Sequence, residues 1–273
     1  MTCNAFFSTL LMNKRVLITG ASRGIGRAIA LALLRGGARV FLTARSEDSF
    51  SFLNREGFDA GGKAHTGRLD LADPSSIREG VEKAMRAMGD IDILVNNAGI
   101  ASQDFVVDQD PEQAEREVQV NYLGVYRVTR AVLPHMLERG SGMIVNLASI
   151  IGKVPSPTQA NYCATKAAVV AFSEALRGEV ENRGIRVKVF IPGYTRTDMV
   201  RGIKIDSPQS MTADEVAVHF LRALRSPKAE YVCGGMNDGI IRLHRLFPEI
   251  ARKIMKDCSL NAFLRHRRPE EAE

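Results

Sequence analysis

The sequence predicts an α/β fold in which helices cover both faces of a doubly wound parallel sheet. Short apolar runs alternate with helical patterns from residue 14 onward. The apolar runs are nearly continuous, which is typical of strands that are buried on both faces. The chain has 273 residues, of which 45% are hydrophobic and 25% charged. These values fit one large globular domain and exclude a disordered chain.

The residue patterns give the elements in chain order. The first helical pattern covers 24–34 and ends at two consecutive glycines. Asp73 and Pro74 are typical of an N-cap and a first helical position, so a helix is predicted to begin there. Two longer helical patterns cover 111–138 and 159–182. The predicted strands are 15–19, 39–43, 63–69, 91–95, 143–147 and 186–191.

Positive charge is concentrated at the C-terminal end of the chain. Lysine and arginine number 37 and aspartate and glutamate 31, which gives a net charge of +6. The range 240–268 contains eight basic and two acidic residues and therefore accounts for the whole excess. The rest of the chain is balanced, which argues against a nucleic-acid-binding protein.

The cysteine pattern and the apolar stretches exclude two further classes of protein. No apolar stretch reaches the roughly 20 residues that span a bilayer, so no membrane-spanning helix is predicted. The cysteines are far apart and follow no metal-binding spacing, so we expect no metal site and a reduced, cytoplasmic environment. The cysteines are Cys3, Cys163, Cys233 and Cys258.

A glycine-rich turn joins the first predicted strand to the first predicted helix. Glycines there allow a close approach of the backbone to a pyrophosphate, while the helix N-terminus presents free N–H groups. Such a turn is weak evidence by itself, but its place on the first strand–turn–helix unit indicates a dinucleotide site. The candidate cofactor-binding residues of this turn are Gly20, Ser22, Arg23, Gly24, Ile25 and Gly26.

The end of the second strand indicates which dinucleotide binds. An acidic residue there would accept a hydrogen bond from the ribose 2′-hydroxyl of NAD. This sequence has Ala44 and Arg45 instead, and a second arginine, Arg23, lies in the glycine-rich turn. Two guanidinium groups suit the 2′-phosphate of NADP. The alternative is that both arginines are solvated surface residues. We predict NADP(H) as the cofactor.

A tyrosine and a lysine lie four residues apart near the start of the helical pattern 159–182. This spacing places Tyr162 and Lys166 on one helix face. A nearby ammonium group favours the phenolate, so the tyrosine can act as a general acid or base. The alternative for the pair alone is a surface contact. Ser149 follows the strand 143–147, at the sheet edge where ligands bind, and its hydroxyl can hydrogen-bond a substrate oxygen.

These motifs occur together in an order and spacing that resemble the short-chain dehydrogenase/reductase family. The match covers residues 14–200 and implies a Rossmann-type domain and a tyrosine-based oxidoreductase. The motifs that carry it are the turn 19–26, the run 96–99, Asn121, Ser149, Tyr162, Lys166 and Pro192-Gly193.

The resemblance implies a role for each matching residue. Tyr162 would exchange a proton with the substrate oxygen, Lys166 would lower the tyrosine pKa and hold the nicotinamide ribose, and Ser149 would position the substrate oxygen. Asn121 would support a proton-relay water through its helix backbone. The cofactor residues that the resemblance adds are Asp70 and Leu71 beside the adenine, Asn97, Ala98 and Gly99 along the cofactor, Thr197 at the carboxamide, and Pro192, Gly193 and Thr195.

Three segments are predicted: an N-terminal arm 1–13, a dinucleotide-binding and catalytic domain 14–239, and a basic extension 240–273. Apolar residues in the extension recur at helical spacing, with basic residues on the other face. Such a helix either lies on an anionic membrane surface or covers the substrate cleft or a partner subunit. Both alternatives favour a lipophilic substrate. The apolar face consists of Phe247, Ile250, Ala251, Ile254, Met255 and Cys258.

The predicted function is an NADP(H)-dependent oxidoreductase acting on a lipophilic carbonyl or secondary alcohol. The alternatives are a 3-oxoacyl-carrier reductase and a non-catalytic NADP(H)-binding sensor or membrane scaffold. The resemblance also implies a homodimer formed through 111–138 and 159–182, whereas the long C-terminus counts against a tetramer. The expected location is the cytoplasm, with peripheral membrane contact if 240–268 binds lipid.

Overall fold

A computed structural model describes residues 11–58, 63–205 and 210–267 of the chain. Seven parallel strands form its central sheet, and a short separate pair lies beside it. The central strands are β1 (Arg15–Ile18), β2 (Arg39–Ala44), β3 (Ala64–Arg68), β4 (Ile93–Asn96), β5 (Gly142–Leu147), β6 (Ile185–Ile191) and β9 (Glu230–Val232), and the pair is β7 (Thr195–Arg196) with β8 (Met211–Thr212).

The order of the central strands is β3-β2-β1-β4-β5-β6-β9, with every pairing parallel. The predicted fold class is therefore confirmed. Because β1 pairs with both β2 and β4, the direction of winding reverses between β1 and β4. Ligands of open parallel sheets bind at such a reversal, outside the carboxyl ends of the strands. The turn after β1 and the run after β4 consequently meet at one place.

Helices cover both faces of this sheet. Val16 and Ile18 of β1 belong to one hydrophobic cluster and Leu17 to another, because side chains alternate along a strand. The first cluster includes Phe220 and the second Val132. The helices are α1 (Gly24–Arg35), α2 (Phe52–Arg55), α3 (Pro74–Met88), α4 (Pro111–Val118), α5 (Gly124–Arg139), α6 (Ala160–Val180), α7 (Ala213–Arg225), α8 (Gly235–Leu246), α9 (Pro248–Met255) and α10 (Asn261–Arg267).

The long helix predicted over 111–138 is interrupted. A π-helical turn, Gln119–Leu123, separates α4 from α5. Asn121 lies at its centre and is fully buried, and its side-chain amide bonds the backbone of Ile100 instead of facing solvent. Such turns are frequent at functional sites. The residue periodicity does not show the interruption, because helical spacing continues on both sides of it.

The folded chain does not follow the predicted segment boundaries. Helix α8 runs across the boundary placed between 239 and 240, so the extension begins within a helix that follows directly from β9. Residues 1–10 of the predicted arm lie outside the described residues. Leu11, also assigned to the arm, is buried in the core beside Gly36, with 1% of its surface exposed.

The apolar face predicted for the extension is divided between two environments. Ala251 and, farther along, Ala262 are each 1% exposed and pack on the domain. Phe247, Ile250 and Ile254 are exposed. The predicted apolar face is therefore only partly covered, because one side of α9 meets the domain and the other does not. Within the described ranges, no helix is long and apolar enough to cross a membrane.

Two neighbouring residues test how the extension packs. Ala251→Asp should lower the free energy of unfolding by about 2–4 kcal/mol, because it buries an unpaired carboxylate. Ile250→Asp should change this free energy by less than about 0.5 kcal/mol, because the side chain at that position is solvated. Urea denaturation measures both values. Equal effects of the two substitutions would contradict the packing of α9 described above.

Candidate active site

The turn after β1 has a shape that requires glycine. Gly20 and Gly24 have left-handed backbone angles, with φ of +66° and +57°. A Cβ on Gly20 would lie 2.7 Å from the Cβ of Ala98, at the end of β4. A Cβ on Gly26 would overlap the Gly20 carbonyl oxygen and the Asn97 amide. The glycines thus let the turn approach the neighbouring strand end closely.

Hydrogen bonds fix the turn to the end of β4. The side-chain amide of Asn97 donates to the carbonyl oxygens of Thr19 and Gly20 at 2.9 and 3.0 Å. The Thr19 hydroxyl oxygen accepts from the backbone N–H groups of Asn97 and Ala98 at 3.0 and 3.1 Å. The two strands on either side of the winding reversal are therefore held together at their carboxyl ends. A dinucleotide would lie against these joined strand ends.

The start of α1 and the residues around it fit a nucleotide phosphate. Helix α1 begins at Gly24, and among the described residues no side chain caps its first turn, so its N–H groups can bind an anion. Arg23 and Arg45 are exposed at the turn and at the end of β2. The nearby carboxylate of Glu47 is already paired with Lys83 at 2.7 Å. Ser22 and Ile25, both partly buried, complete the turn.

The remaining predicted cofactor residues also lie at this edge of the sheet. A Cβ on Gly24 would lie 3.3 Å from the Thr197 methyl carbon, so Thr197 adjoins the glycine-rich turn. Asp70 follows β3 and is partly buried. Leu71 differs from the others, because its side chain is buried and would lie 2.7 Å from a Cβ on Gly124. Pro192, Gly193 and Thr195 follow β6, where the Thr195 hydroxyl donates to the Gly193 carbonyl at 3.0 Å.

The predicted catalytic residues come together from two elements. Tyr162 and Lys166 lie on the first turns of α6, with the lysine Nζ 5.7 Å from the centre of the tyrosine ring. The Lys166 ammonium donates to the carbonyl of Leu147, the last residue of β5, at 3.1 Å. Ser149 follows two residues later, and its hydroxyl is near enough to the Tyr162 phenol to lower the pKa of that group. Serine, tyrosine and lysine thus form one cluster at the sheet edge.

Burial shifts the pKa values of this cluster in opposite directions. Burial raises the pKa of the Tyr162 phenol, with smaller contributions from the charges of Glu117 and Cys163, while the hydrogen bond from Ser149 lowers it. Burial lowers the pKa of Lys166 from 10.5 to about 8. Both shifts favour the uncharged form of the group. In this state the tyrosine holds its proton and is suited to act as an acid.

Asn121 connects the π turn to the catalytic cluster. Its amide accepts from the Ile100 N–H and donates to the Ile100 carbonyl, both at 2.8 Å, and donates to the Thr165 hydroxyl at 3.1 Å. A Cβ on Gly99 would lie 3.1 Å from the Asn121 carbonyl oxygen and 3.4 Å from Lys166 Nζ. Gly99 therefore separates the two predicted residues at close range, and a larger side chain there would push them apart.

Comparison with known proteins supports the same interpretation. Residues 14–207 match the family model described as short chain dehydrogenase, a range that contains all the predicted site residues. The chain belongs to the short-chain dehydrogenase family. It is accordingly an oxidoreductase of a family that uses a nicotinamide cofactor.

Individual relatives of this short-chain dehydrogenase cover most of its length. The 3-oxoacyl-[acyl-carrier-protein] reductase FabG of Escherichia coli (strain K12) is 36% identical over 230 residues, which are 81% of this chain and 93% of the relative. A short chain dehydrogenase from Burkholderia cenocepacia J2315, solved with NADP, has a TM-score of 0.79 and 29% identity, covering 90% of this chain and 98% of that one. A 3-ketoacyl-(acyl-carrier-protein) reductase from Brucella melitensis, solved with NADH, has a TM-score of 0.75 and 32% identity, covering 83% and 99%.

The dehydrogenase site contains a buried carboxylate that is not among the residues predicted from the sequence. Glu117 is 0% exposed and accepts hydrogen bonds from the backbone N–H and hydroxyl of Ser102 and from the amide of Asn161, the last at 2.7 Å. It thereby fixes the loop after β4 to the residue that precedes Tyr162. The available signal was its position four residues before Asn121, which places both side chains on one helix face.

The C-terminal segment packs on loops beside the dehydrogenase site. The Ser259 hydroxyl donates to the carbonyl of Pro157 at 2.9 Å, in the loop that leads into α6. Phe263 packs edge-on against Phe105, with 5.5 Å between ring centres. Arg267 lies 3.0 Å from a carboxylate oxygen of Asp108. The end of the extension therefore contacts two of the loops next to the catalytic cluster.

Proposed function

We propose that the protein is an NADP(H)-dependent reductase of a carbonyl group, or a dehydrogenase of the corresponding secondary alcohol. The observation that carries this proposal is the cluster of Ser149, Tyr162 and Lys166 at the sheet edge, beside the glycine-rich turn. The bound nicotinamide would supply or accept the hydride. The protein supplies the proton, the position of the substrate oxygen and a site that holds both reactants together.

The proton chemistry follows from the environment of the tyrosine. Burial keeps Tyr162 protonated, so its hydroxyl can donate to the oxygen of a carbonyl as that oxygen gains negative charge. The Ser149 hydroxyl lies beside it and can donate a second hydrogen bond to the same oxygen. The phenolate left behind is stabilised by the ammonium form of Lys166. In the reverse direction, the phenolate accepts the proton of an alcohol.

The proposed cofactor residues are those predicted from the sequence, and Asn121 with the π turn supports the catalytic cluster. Lys166, the lysine of this cluster, would hold the nicotinamide ribose. The phosphates would lie at the start of α1, next to Gly24. Arg23 and Arg45 would bind the 2′-phosphate. One similar structure was solved with NADP and another with NADH, so the comparisons do not decide between the two dinucleotides. The proposal of NADP(H) therefore rests on this pair of arginines.

Cofactor preference is the direct test of the two arginines. The wild-type protein should have a higher kcat/KM with NADPH than with NADH. Arg45→Ala should lower kcat/KM for NADPH about fivefold and leave the value for NADH unchanged, because an exposed ion pair contributes only about 1 kcal/mol. Arg183→Ala, an exposed arginine elsewhere, is the matched control. Equal kcat/KM for both dinucleotides in the wild type would refute the proposal.

The substrate is proposed to be lipophilic, such as a keto-lipid, a steroid-like ketone or a ketone of an acyl thioester. The 36% identity with a 3-oxoacyl-[acyl-carrier-protein] reductase favours the acyl thioester as the second candidate. NADPH consumption with a panel of these ketones separates them. If the protein binds NADPH but turns over none of these ketones, the result would favour a non-catalytic sensor or scaffold over an enzyme.

We also propose that the protein is a cytoplasmic homodimer, as its membership of the short-chain dehydrogenase family suggests. The dimer would form through α4, α5 and α6, where Val118 and Tyr126 are 37% and 40% exposed. Among the described residues, Cys163 and Cys233 form no disulfide, which fits a reduced compartment. Light scattering of the purified protein gives its mass in solution, and Tyr126→Arg should shift that mass toward the monomer.

A further inference from the structure

An exposed row of large apolar side chains crosses the corner between α8 and α9. Leu246, Phe247, Ile250 and Ile254 are 72%, 55%, 52% and 37% exposed, and we call these four residues the apolar ridge. Ile250 and Ile254 lie four residues apart on one face of α9, and Phe247 immediately precedes that helix. Ala251, between them in sequence, is buried against the domain. The ridge is thus the outward side of a helix that the domain holds in place.

Unneutralised positive charge surrounds the apolar ridge. Arg245, Lys253 and Lys256 are exposed, and none forms an ion pair with another described residue. Other cations of the same segment are paired, for example Arg242 with Asp238 and Arg252 with Glu249. Asp257, which accepts a hydrogen bond from the Asn261 amide, offsets one of these charges, so the turns that carry the ridge keep a net positive charge.

We propose that the apolar ridge docks the protein onto an anionic membrane surface. Apolar side chains inserted at the boundary of headgroups and acyl chains lose their contact with water, and adjacent lysines and arginines attract anionic headgroups. A second copy of this chain suits the surface less well. A symmetric contact of ridge with ridge would bring the cations of both copies together.

Docking through the ridge would also orient the rest of the molecule. Five residues after Ile254 the chain reaches Ser259, which hydrogen-bonds the loop leading into the catalytic helix. Most of this stretch is a π-helical turn, so the distance along the axis is at most the roughly 7.5 Å that an α-helical rise of about 1.5 Å per residue would give. The loops beside the site would then lie near the lipid, a consequence that rests on the proposed function. The docking itself does not depend on catalysis.

Sedimentation of the full-length protein with vesicles tests the proposal. Vesicles containing phosphatidylglycerol should carry the protein down at low salt, and pure phosphatidylcholine vesicles should carry far less. Added salt should weaken binding, because exposed charges are screened over about 10 Å at 0.1 M. The triple variant Phe247→Ser/Ile250→Ser/Ile254→Ser should weaken binding by about tenfold or more. In the variant Arg245→Gln/Lys253→Gln/Lys256→Gln, each lost cation should weaken it about fivefold.

Matched substitutions elsewhere make the result specific. Val107 is 89% exposed in the loop between β4 and α4, and Arg183 is exposed before β6. Val107→Ser and Arg183→Gln should leave vesicle binding unchanged, and circular dichroism should show that every variant is folded. Absence of binding to phosphatidylglycerol vesicles at low salt would overturn the proposal. The proposal would also be overturned if the triple ridge variant bound vesicles as the wild type does and changed only its oligomeric mass in gel filtration. The ridge would then join two copies of the chain.

Discussion

Replacing Tyr162 by phenylalanine is expected to lower kcat by about 10²–10⁴-fold and to leave NADPH binding almost unchanged. The substitution removes only the hydroxyl that donates the proton and keeps the ring in its place on α6. Burial of this hydroxyl raises its pKa, so the wild-type group is protonated at neutral pH and ready to donate. Steady-state turnover of the best ketone with NADPH gives kcat, and fluorescence titration gives the Kd for NADPH.

Tyr126→Phe is the matched control for this substitution. Tyr126 lies on α5, is 40% exposed and packs against Phe172 at 6.1 Å between ring centres. Loss of its hydroxyl should change kcat by less than about twofold, because phenylalanine keeps the ring contact with Phe172 and Tyr126 is not part of the catalytic cluster. A Tyr162→Phe enzyme that retains more than about a tenth of wild-type kcat would remove Tyr162 from the proton-transfer step. The family membership of the chain would stand in either case.

Lys166→Met is expected to reduce activity and to increase stability at neutral pH. Its ammonium group stabilises the phenolate that forms when Tyr162 gives up its proton, so we expect a loss of about 10²-fold or more in kcat. The same group is 4% exposed, and burial lowers its pKa from 10.5 to about 8. Methionine has a similar shape without the charge and is accommodated in apolar surroundings.

The pH dependence of the Lys166 effect on stability follows from proton linkage. The folded pKa is lower than the unfolded pKa, so between about pH 8 and 10.5 the unfolded chain binds more protons at this residue. The lysine therefore destabilises the fold fully below pH 8, and this penalty disappears as the pH rises through 10.5. Relative to wild type, Lys166→Met should gain about 1–3 kcal/mol at pH 7 and much less at pH 10.5.

Urea denaturation at the two pH values measures this difference. Lys188→Met is a useful comparison, because burial also lowers the pKa of Lys188 but its ammonium donates to the carbonyls of Ser226 and Lys228 far from the catalytic cluster. It should leave kcat unchanged. A Lys166→Met protein that is less stable than wild type at pH 7 would show that the hydrogen bond to Leu147 outweighs the burial of the charge. A variant with wild-type kcat would exclude Lys166 from the reaction.

Much of the catalytic cluster could be predicted from local patterns. The helix that carries Tyr162 and Lys166 fixes their relative position, because residues four apart share a face. Gly20 and Gly26 mark a turn whose backbone approaches a neighbour, and the structure places that neighbour at Asn97 and Ala98. The alternation of strands and helices predicts a parallel sheet, in which the carboxyl ends of the strands lie along one edge. These inferences needed only spacing within one element or the general geometry of parallel sheets.

Other parts of the site depend on contacts between distant segments. Glu117 is buried because Ser102 and Asn161 supply donors for its carboxylate, and its spacing from Asn121 does not by itself distinguish it from a solvated helical glutamate. The π turn at Asn121 is stabilised by hydrogen bonds to Ile100, which lies twenty-one residues earlier. Periodicity cannot detect such an interruption, because the helical spacing resumes after it.

The sequence by itself determined the fold class, the glycine-rich turn, the serine, tyrosine and lysine of the cluster, and the amphipathic character of the extension. Only the tertiary structure decided which apolar residues of the extension are covered. Ala251 meets the domain and Ile250 does not, although both belong to the apolar side of α9. Amphipathic spacing predicts that a helix has an apolar side. Segments far away in the chain form the surface that packs against this side, and they therefore decide which of its residues are covered.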